Sequence, residues 1–222
     1  MTSLEFRDRL ARRARRAKAH LTLAMLEPLE IYFRLLAQWN AKINLTGLPL
    51  EAPTDETFDR LLIEPLAAAR QVPDGPQLWF DLGSGGGSPA IPLKIARPSL
   101  KLTMIESKTR KAAFLREAVR AIGLTDTTVL SERFEDVAQQ VENAGAAQLV
   151  TVRAVRADPA LFRTAELLLS GSGRLLLFRP AHDATPDPPS FTLSTTVQLT
   201  DAPPAYVSVY RRVFHVEQRV IT

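Results

Sequence analysis

The chain of 222 residues contains no cysteine and only three histidines. The absence of cysteine excludes disulfides, thiolate nucleophiles and cysteine-based metal sites. His20, His182 and His215 do not have metal-ligand spacing, so the sequence predicts no metal site. No apolar run approaches the roughly 18 residues that span a membrane, and the N-terminus lacks the apolar segment of a secretory signal. We therefore expect a cytoplasmic protein that does not enter a membrane.

Several sequence motifs of common enzyme classes are also missing. There is no G-x-x-x-x-G-K-[ST] motif, so phosphoryl transfer on a P-loop is not expected. There is no nucleophile elbow for Ser-dependent hydrolysis. Methylation of a pyrimidine C5 through a cysteine adduct is excluded as well.

Positive charge is concentrated in the N-terminal arm. The net charge is +4, and residues 1–20 hold seven Arg or Lys against two acids. Such an arm is typical of a contact with a polyanion, most often nucleic acid, and Arg12, Arg13 and Arg16 are its candidate RNA ligands. A solvated helix that only keeps the protein soluble explains the same composition equally well. Its apolar stripe is thin, which predicts loose docking or ordering on RNA.

A Pro- and Gly-containing breaker at 72–76 divides the chain into two parts. We predict a helical region with the basic arm at 1–76 and an α/β domain at 77–222. Predicted helices of the first part cover 4–20, 26–43 and about 55–70, where apolar residues recur at helical spacing. Lys42 follows the second helix beside a cluster of Asn and Thr. It is a candidate substrate contact, although the cluster also suits a turn.

Short apolar runs alternate with helical patterns from residue 77 onward. Their spacing is that of βαβ units, which predicts a largely parallel sheet covered on both faces. The predicted strands are 78–82, 100–106, 127–130, 148–152 and 174–178. The helices between and after them are 89–96, 108–122, 134–143 and 159–170. The last two runs, 191–199 and 206–216, have no helix between them and should form an antiparallel pair at the end of the sheet.

Three glycines at alternate positions follow the first predicted strand, in Asp81-Leu-Gly-Ser-Gly-Gly-Gly-Ser-Pro89. This pattern is typical of a tight turn that approaches a nucleotide-like ligand. Ser88 replaces the third glycine of the dinucleotide fingerprint that begins with Gly83 and Gly85. Asp81 would repel a pyrophosphate but suits the cationic ammonium or sulfonium of S-adenosylmethionine. The loop therefore favours S-adenosylmethionine over NAD.

Candidate ligand-binding residues follow the next three strands. Glu106 is placed to accept hydrogen bonds from ribose hydroxyls, which fits S-adenosylmethionine and NAD equally well. Phe134 and Glu135 stand where an adenine pocket would be, although acids are also ordinary in a first helical turn. Arg153 is placed to hold a cofactor carboxylate or an RNA phosphate, or to form a plain salt bridge. Arg156 is a further candidate for gripping RNA phosphates.

Several segments, taken in order, resemble the bacterial small-subunit ribosomal RNA guanine-N7 methyltransferase family, once called glucose-inhibited division protein B. They are Asn40-x-x-x-Asn44-Leu-Thr46, Asp81-Leu-Gly-Ser-Gly-Gly-Gly-Ser-Pro-Ala-Ile-Pro92, Glu106-Ser-Lys-x-Arg-Lys-x-x-Phe-Leu115, Arg133-Phe-Glu135 and Val152-Arg-Ala154. The resemblance implies a Rossmann-like class I methyltransferase fold, S-adenosylmethionine as cofactor and a guanine of 16S rRNA in the small ribosomal subunit as substrate. By matched position it also implies that Glu106 holds the cofactor ribose. The other implied cofactor contacts are Gly83, Ser88, Phe134, Glu135 and Arg153.

The chain departs from the family pattern mainly at positions on the substrate side. Leu61 and Glu64-Pro65 replace a usual His and Asp-Ser, and Arg179-Pro180 replaces a usual Lys-Gly. Guanine N7 carries a lone pair and no proton, so its methylation needs alignment and no general base. Catalysis should rest on positioning and on electrostatics, to which Asp81 or Glu64 could contribute, and the catalytic residues stay unknown. We expect a monomer. An NAD(P)-dependent oxidoreductase and an RNA-binding module without catalysis are the alternatives.

Overall fold

A seven-stranded mixed sheet organises the part of the chain that the computed structural model describes, residues 1–155, 157–179, 188 and 190–213. The strand order is β3-β2-β1-β4-β5-β7-β6. The strands are β1 Leu78–Leu82, β2 Lys101–Ile105, β3 Thr127–Leu130, β4 Ala147–Arg153, β5 Leu169–Arg179, β6 Phe191–Asp201 and β7 Pro204–Arg212. The first five are parallel, and β7 and β6 add an antiparallel pair at one edge. The predicted fold class is confirmed, although the end of the last predicted strand, from residue 214, lies outside the described residues.

Eight α-helices precede or connect these strands in the described residues. They are α1 Ser3–Arg16, α2 Leu23–Asn40, α3 Asp55–Phe58, α4 Glu64–Ala68, α5 Ala90–Ala96, α6 Thr109–Ile122, α7 Phe134–Ala138 and α8 Pro159–Leu168. A turn of π-helix, Asp59–Ile63, joins α3 to α4, and we call it the π turn. The predicted helix 55–70 is therefore one helical segment with a widened turn, a feature that is frequent at functional sites. None of the described helices is long and apolar enough to cross a membrane.

Helix α1 packs firmly on the helices that follow it. Phe6 and Leu10 are fully buried, and the Phe6 ring lies 5.5 Å from Phe33 and 5.3 Å from Phe58 between centroids. The expectation of loose docking was wrong, because it counted a stripe of Leu4, Leu10, Ala14 and Ala17 and left out Phe6, which carries the packing. Large aromatic side chains dominate the energy of such clusters.

The helical region shares its core with one face of the sheet. Trp79 of β1 belongs to the same buried apolar cluster as Phe33 of α2 and Leu62 of the π turn. A second cluster fills the opposite face of the sheet and includes Phe80, Val150 and Leu161. Alternate residues of β1 therefore point into different clusters, as a two-faced strand requires. Buried apolar contacts cross the boundary predicted at residue 76. The division into two domains there stays a prediction.

Candidate active site

Three strand ends meet at one edge of the sheet. Leu82 is paired with Ile105 of β2 and with Val152 of β4. Because these strands are parallel, the residues that follow them lie around one crevice. The glycine loop, residues 83–88, enters this crevice from β1.

The glycine loop has a backbone that other residues would not adopt easily. Gly83 has φ +70°, and a Cβ atom there would lie 2.8 Å from Cγ2 of Val155. The amides of Gly83 and Ser84 donate to the carbonyl oxygen of Ile105 at 2.9 and 3.1 Å. Positive φ and the close approach both require glycine at position 83. The first glycine of the pattern thus brings bare backbone to the crevice.

Glu106 connects the glycine loop to the end of β2. Its Oε2 accepts the Gly85 amide at 2.9 Å, and its Oε1 accepts the Lys108 amide at 2.8 Å. The residue is buried yet lines the crevice. A carboxylate offers about four lone-pair sites, so acceptor capacity remains on both oxygens. This donor-poor, acceptor-rich site fits the two hydroxyls of a ribose.

Asp81 lies beneath the loop and does not line the crevice. It is 1% exposed, and its carboxylate accepts the hydroxyl of Thr151. Thr151 in turn accepts the indole N–H of Trp79 at 2.8 Å. Burial raises the pKa of Asp81 to about 6, against hydrogen bonds from Ser84 and Thr151 that lower it. Its predicted contact with the cofactor stays a prediction, and sequence reasoning missed its partner Thr151.

Arg153, at the end of β4, is surrounded by protein groups. Its Nη1 donates to Oγ of Ser88 at 3.1 Å and to the carbonyl oxygen of Arg60, and its Nη2 pairs with the carboxylate of Glu64. The guanidinium carbon lies 5.5 Å from the ring centroid of Phe178. Burial lowers the pKa of Arg153 and raises that of Glu64, and their mutual attraction opposes both shifts.

The crevice is a cavity of about 570 Å³ with two kinds of wall. The predicted cofactor residues on its lining are Gly83, Gly85, Ser88, Glu106 and Arg153. We call a further part of the lining the second wall, and it comes from the loop 45–48 and from Glu56, Arg60, Leu61, Lys111, Phe178 and Arg179. The second wall adjoins the first, because Ser88 donates to the Leu61 carbonyl and Arg153 packs on Phe178.

Thr46 belongs to the Asn and Thr cluster beside Lys42, Lys111 belongs to the segment Glu106–Leu115, and Leu61 and Arg179 are departures from the family pattern. The sequence did not predict Glu56, Arg60 or Phe178, because these residues come from distant segments without a local motif.

Phe134 and Glu135 do not line this cavity. Phe134 begins α7 and packs half-buried against the second core cluster. Glu135 pairs with Arg133 at 3.4 Å on the surface. Their assignment to an adenine pocket stays a prediction.

The candidate RNA contacts divide into exposed and buried side chains. Arg12, Arg16 and Lys42 are exposed. Arg13 is only 8% exposed, and its guanidinium pairs with Asp59 of the π turn and, at 3.2 Å, with Asp55. Arg156 lies outside the described residues.

The geometry above agrees with a match to a family model. The model described as rRNA small subunit methyltransferase G matches residues 25–187, which is most of the chain. The chain belongs to this family. The resemblance seen in the motifs is thereby confirmed, and the matched range contains the glycine loop, Glu106 and Arg153.

Curated relatives of the family carry the same name. The chain is 39% identical to "Ribosomal RNA small subunit methyltransferase G" of Chloroflexus aggregans over 65% of this chain and 60% of the relative. It is 38% identical to the protein of that name from Stenotrophomonas maltophilia over 73% of each chain. The match thus spans less than two thirds of the length of the Chloroflexus relative and more than two thirds of the length of the Stenotrophomonas relative.

Solved structures confirm the fold independently of close sequence similarity. A S-adenosylmethionine-dependent methyltransferase from Aquifex aeolicus has a TM-score of 0.54 at 12% identity, over 68% of this chain and 91% of that one. Precorrin-6y C5,15-methyltransferase from Geobacter metallireducens has a TM-score of 0.51 at 12% identity, over 77% and 92%. At this identity the likeness concerns the fold alone, which is Rossmann-like.

Proposed function

We propose that the chain transfers a methyl group from S-adenosylmethionine to N7 of a guanine in 16S rRNA. The observation that carries the proposal is one cavity with two walls, in a chain of the rRNA small subunit methyltransferase G family. One wall presents bare loop backbone and the Glu106 carboxylate. The other presents arginines and an aromatic ring. We expect a monomer that works in the cytoplasm on the small ribosomal subunit.

The first wall fits the nucleoside part of the cofactor. Gly83 presents bare backbone on the cavity lining, which lets a ligand approach the loop closely. Glu106 would accept the ribose hydroxyls with the lone pairs that Gly85 and Lys108 leave unused. When bound, S-adenosylmethionine supplies a sulfonium methyl group that an unprotonated nitrogen can attack.

The second wall suits an RNA nucleotide. Arg60, Arg179 and Lys111 line the cavity and would attract phosphate. Phe178 lines it as well, and its ring, which the Arg153 guanidinium covers on one face, adds apolar surface to this wall. Guanine N7 needs no general base, so these residues would act by aligning the base and by excluding water.

The product guanine carries a positive charge, which the cavity can tolerate. Glu106 and Glu56 both line it, and Asp81 lies below the loop. Preorganised negative groups stabilise developing positive charge in a site from which water is excluded. We assign no residue to proton transfer.

The test is transfer of labelled methyl groups to small ribosomal subunits, and to free 16S rRNA, that lack the modification. We expect label in N7-methylguanosine of the digested rRNA, and loss of transfer in Glu106→Ala. If the protein binds subunits and S-adenosylhomocysteine but transfers nothing to either substrate, the proposed activity is wrong and an RNA-binding module remains. Thermal stabilisation by NAD(H) and none by S-adenosylhomocysteine would favour an oxidoreductase. The named relatives are all methyltransferases.

A further inference from the structure

One helical segment, formed by α3 and the π turn, uses most of its polar side chains to contact neighbouring elements. Asp55 and Asp59 both pair with Arg13 of α1. The hydroxyl of Thr57 donates to the carbonyl oxygen of Pro49 at 3.1 Å. These side chains stabilise the fold, so they are not available to a ligand in the cavity.

Glu56 and Arg60 belong to the same segment and line the cavity. They are four residues apart, a spacing that places side chains on one face of a helix. Glu56 is exposed, and within the described residues its carboxylate has no hydrogen bond or ion pair. Nη1 of Arg60 lies 3.7 Å from Oε1 of Glu64, which is too long for a hydrogen bond. A carboxylate and a guanidinium therefore lie side by side, both open to a ligand.

Arg60 is closer than Glu56 to the glycine loop. The contacts of the segment with the loop side of the cavity begin at Arg60, whose carbonyl oxygen accepts from Nη1 of Arg153. The carbonyl oxygen of Leu61 accepts from the Ser88 hydroxyl at 3.0 Å. Glu56 precedes Arg60 by one helical turn and makes no such contact in the part of the chain that the structure describes. The order across the cavity is therefore Glu56, Arg60 and the glycine loop.

Guanine presents its polar groups in a matching order. N2 and N1 carry adjacent hydrogen-bond donors, O6 beside them is an acceptor, and N7 lies next to O6. A carboxylate can accept from two adjacent donors, and a guanidinium can donate to O6. The Watson–Crick edges of adenine, cytosine and uracil each offer a single donor group. Enzymes that modify a base recognise it through this edge once the base has left its stack.

We propose that Glu56 is a specificity-determining residue that accepts the N1 and N2 hydrogens of the target guanine, with Arg60 donating to O6, so that N7 faces the glycine loop and the cofactor. This inference rests on the proposed function, because it names the residues that recognise the base in the same site. It also gives the acid a purpose. A carboxylate without a donor would only repel the phosphates of an RNA substrate.

Inosine tests the contact, because it keeps N7, O6 and the N1 hydrogen of guanosine and lacks only the N2 amino group. The substrates are small subunits reconstituted with 16S rRNA that carries guanosine or inosine at the target position, which the labelling experiment above locates. The unsubstituted protein should have a kcat/KM for the guanosine substrate about tenfold above that for inosine. In Glu56→Ala the two values should be similar, because the partner of the amino group is gone.

A matched control removes a similar charge close to the cavity. Glu51 is an exposed acid before α3 that lines a separate surface cavity. Glu51→Ala should keep the guanosine-to-inosine ratio of the unsubstituted protein. Both variants should also keep its melting temperature and its affinity for S-adenosylhomocysteine, because neither carboxylate has a partner among the described residues. A fall in kcat/KM of Glu56→Ala on guanosine, by about tenfold or more, is then a loss of base recognition.

Each other outcome contradicts the proposal in a different way. A guanosine-to-inosine ratio near one in the unsubstituted protein, or a ratio that Glu56→Ala leaves unchanged, overturns the contact with N2. An unchanged ratio with slower transfer to both substrates would assign Glu56 to the charge of the product guanine instead. A kcat/KM of Glu56→Ala on guanosine that equals or exceeds that of the unsubstituted protein would make Glu56 a solvated acid. If the unsubstituted protein transfers no methyl group to the guanosine substrate, the proposed function itself is wrong.

Discussion

The hydroxyl of Tyr32 donates a hydrogen bond to the carbonyl oxygen of Gly86 at 2.7 Å. The tyrosine belongs to α2, and its partner lies in the middle of the glycine loop, 54 residues further along the chain. Burial raises the pKa of Tyr32, so the hydroxyl stays protonated and remains a donor. The helical region is therefore a direct support of the cofactor loop.

Tyr32→Phe should weaken both the fold and the cofactor site. The ring packing stays, but the Gly86 carbonyl loses its donor, which costs about 1–3 kcal/mol for a buried group. We expect urea unfolding to show this loss, and S-adenosylhomocysteine affinity to fall in parallel. Equal affinity in the variant and the unsubstituted protein would show that the loop holds its shape without α2.

Gly83→Ala should abolish tight cofactor binding. The new Cβ atom would lie 2.8 Å from Val155 Cγ2, and φ is +70°. Gly123 is the matched control, since it has φ +74° but no atom within 4 Å of an added Cβ. Gly123→Ala should cost about 1–2 kcal/mol of stability from backbone strain alone and leave affinity intact. If Gly83→Ala binds S-adenosylhomocysteine as tightly as Gly123→Ala does, the close approach of Gly83 to Val155 is not required for cofactor binding.

Substitutions of Arg13 and Arg12 should affect stability and RNA binding separately. Arg13→Met leaves Asp59 buried without its main partner, which costs about 3–5 kcal/mol in chemical denaturation. Arg12→Ala removes an exposed charge and should leave the fold unchanged. If Arg12 contacts an rRNA phosphate, its loss should reduce the slope of log affinity against log salt by about one. If neither substitution changes the slope of log affinity against log salt, α1 is not part of the RNA-binding surface.

Asp81 should make stability depend on pH. Its folded pKa of about 6 lies above the ordinary value of 3.8, so between these two pH values the folded state holds a proton that the unfolded chain has released. Stability from this group is complete below about pH 4 and falls as the pH rises through about 6, by on the order of 3 kcal/mol. Asp81→Asn should remove this fall.

The measurement is urea unfolding of both proteins at several pH values between about 4 and 7, the window set by the two pKa values. Relative to the unsubstituted protein, Asp81→Asn should gain stability as the pH rises. Asp136→Asn, which removes an exposed carboxylate from α7, controls for the change in net charge. A difference between Asp81→Asn and the unsubstituted protein that does not vary with pH would contradict a buried carboxyl whose pKa is raised to about 6.

The sequence by itself determined the elements whose signals are local. Strand β1 at 78–82 and strand β3 at 127–130 have the predicted bounds, because short apolar runs between breakers leave little choice of period or length. The glycine pattern and an acid at the end of the second strand were likewise readable, since turn geometry and strand ends are encoded by neighbouring residues. These features place the cofactor wall.

Only the tertiary structure decided what faces that wall. Glu64 and Arg153 are 89 residues apart, and Asp59 is 46 residues from Arg13. A charged residue in a sequence has the same appearance whether it binds phosphate or a buried carboxylate. The choice depends on which groups the fold brings within hydrogen-bond distance and removes from water, because burial makes an unpaired charge costly. For this reason Arg13 is a candidate RNA ligand in the sequence, whereas in the structure it forms a buried ion pair with Asp59.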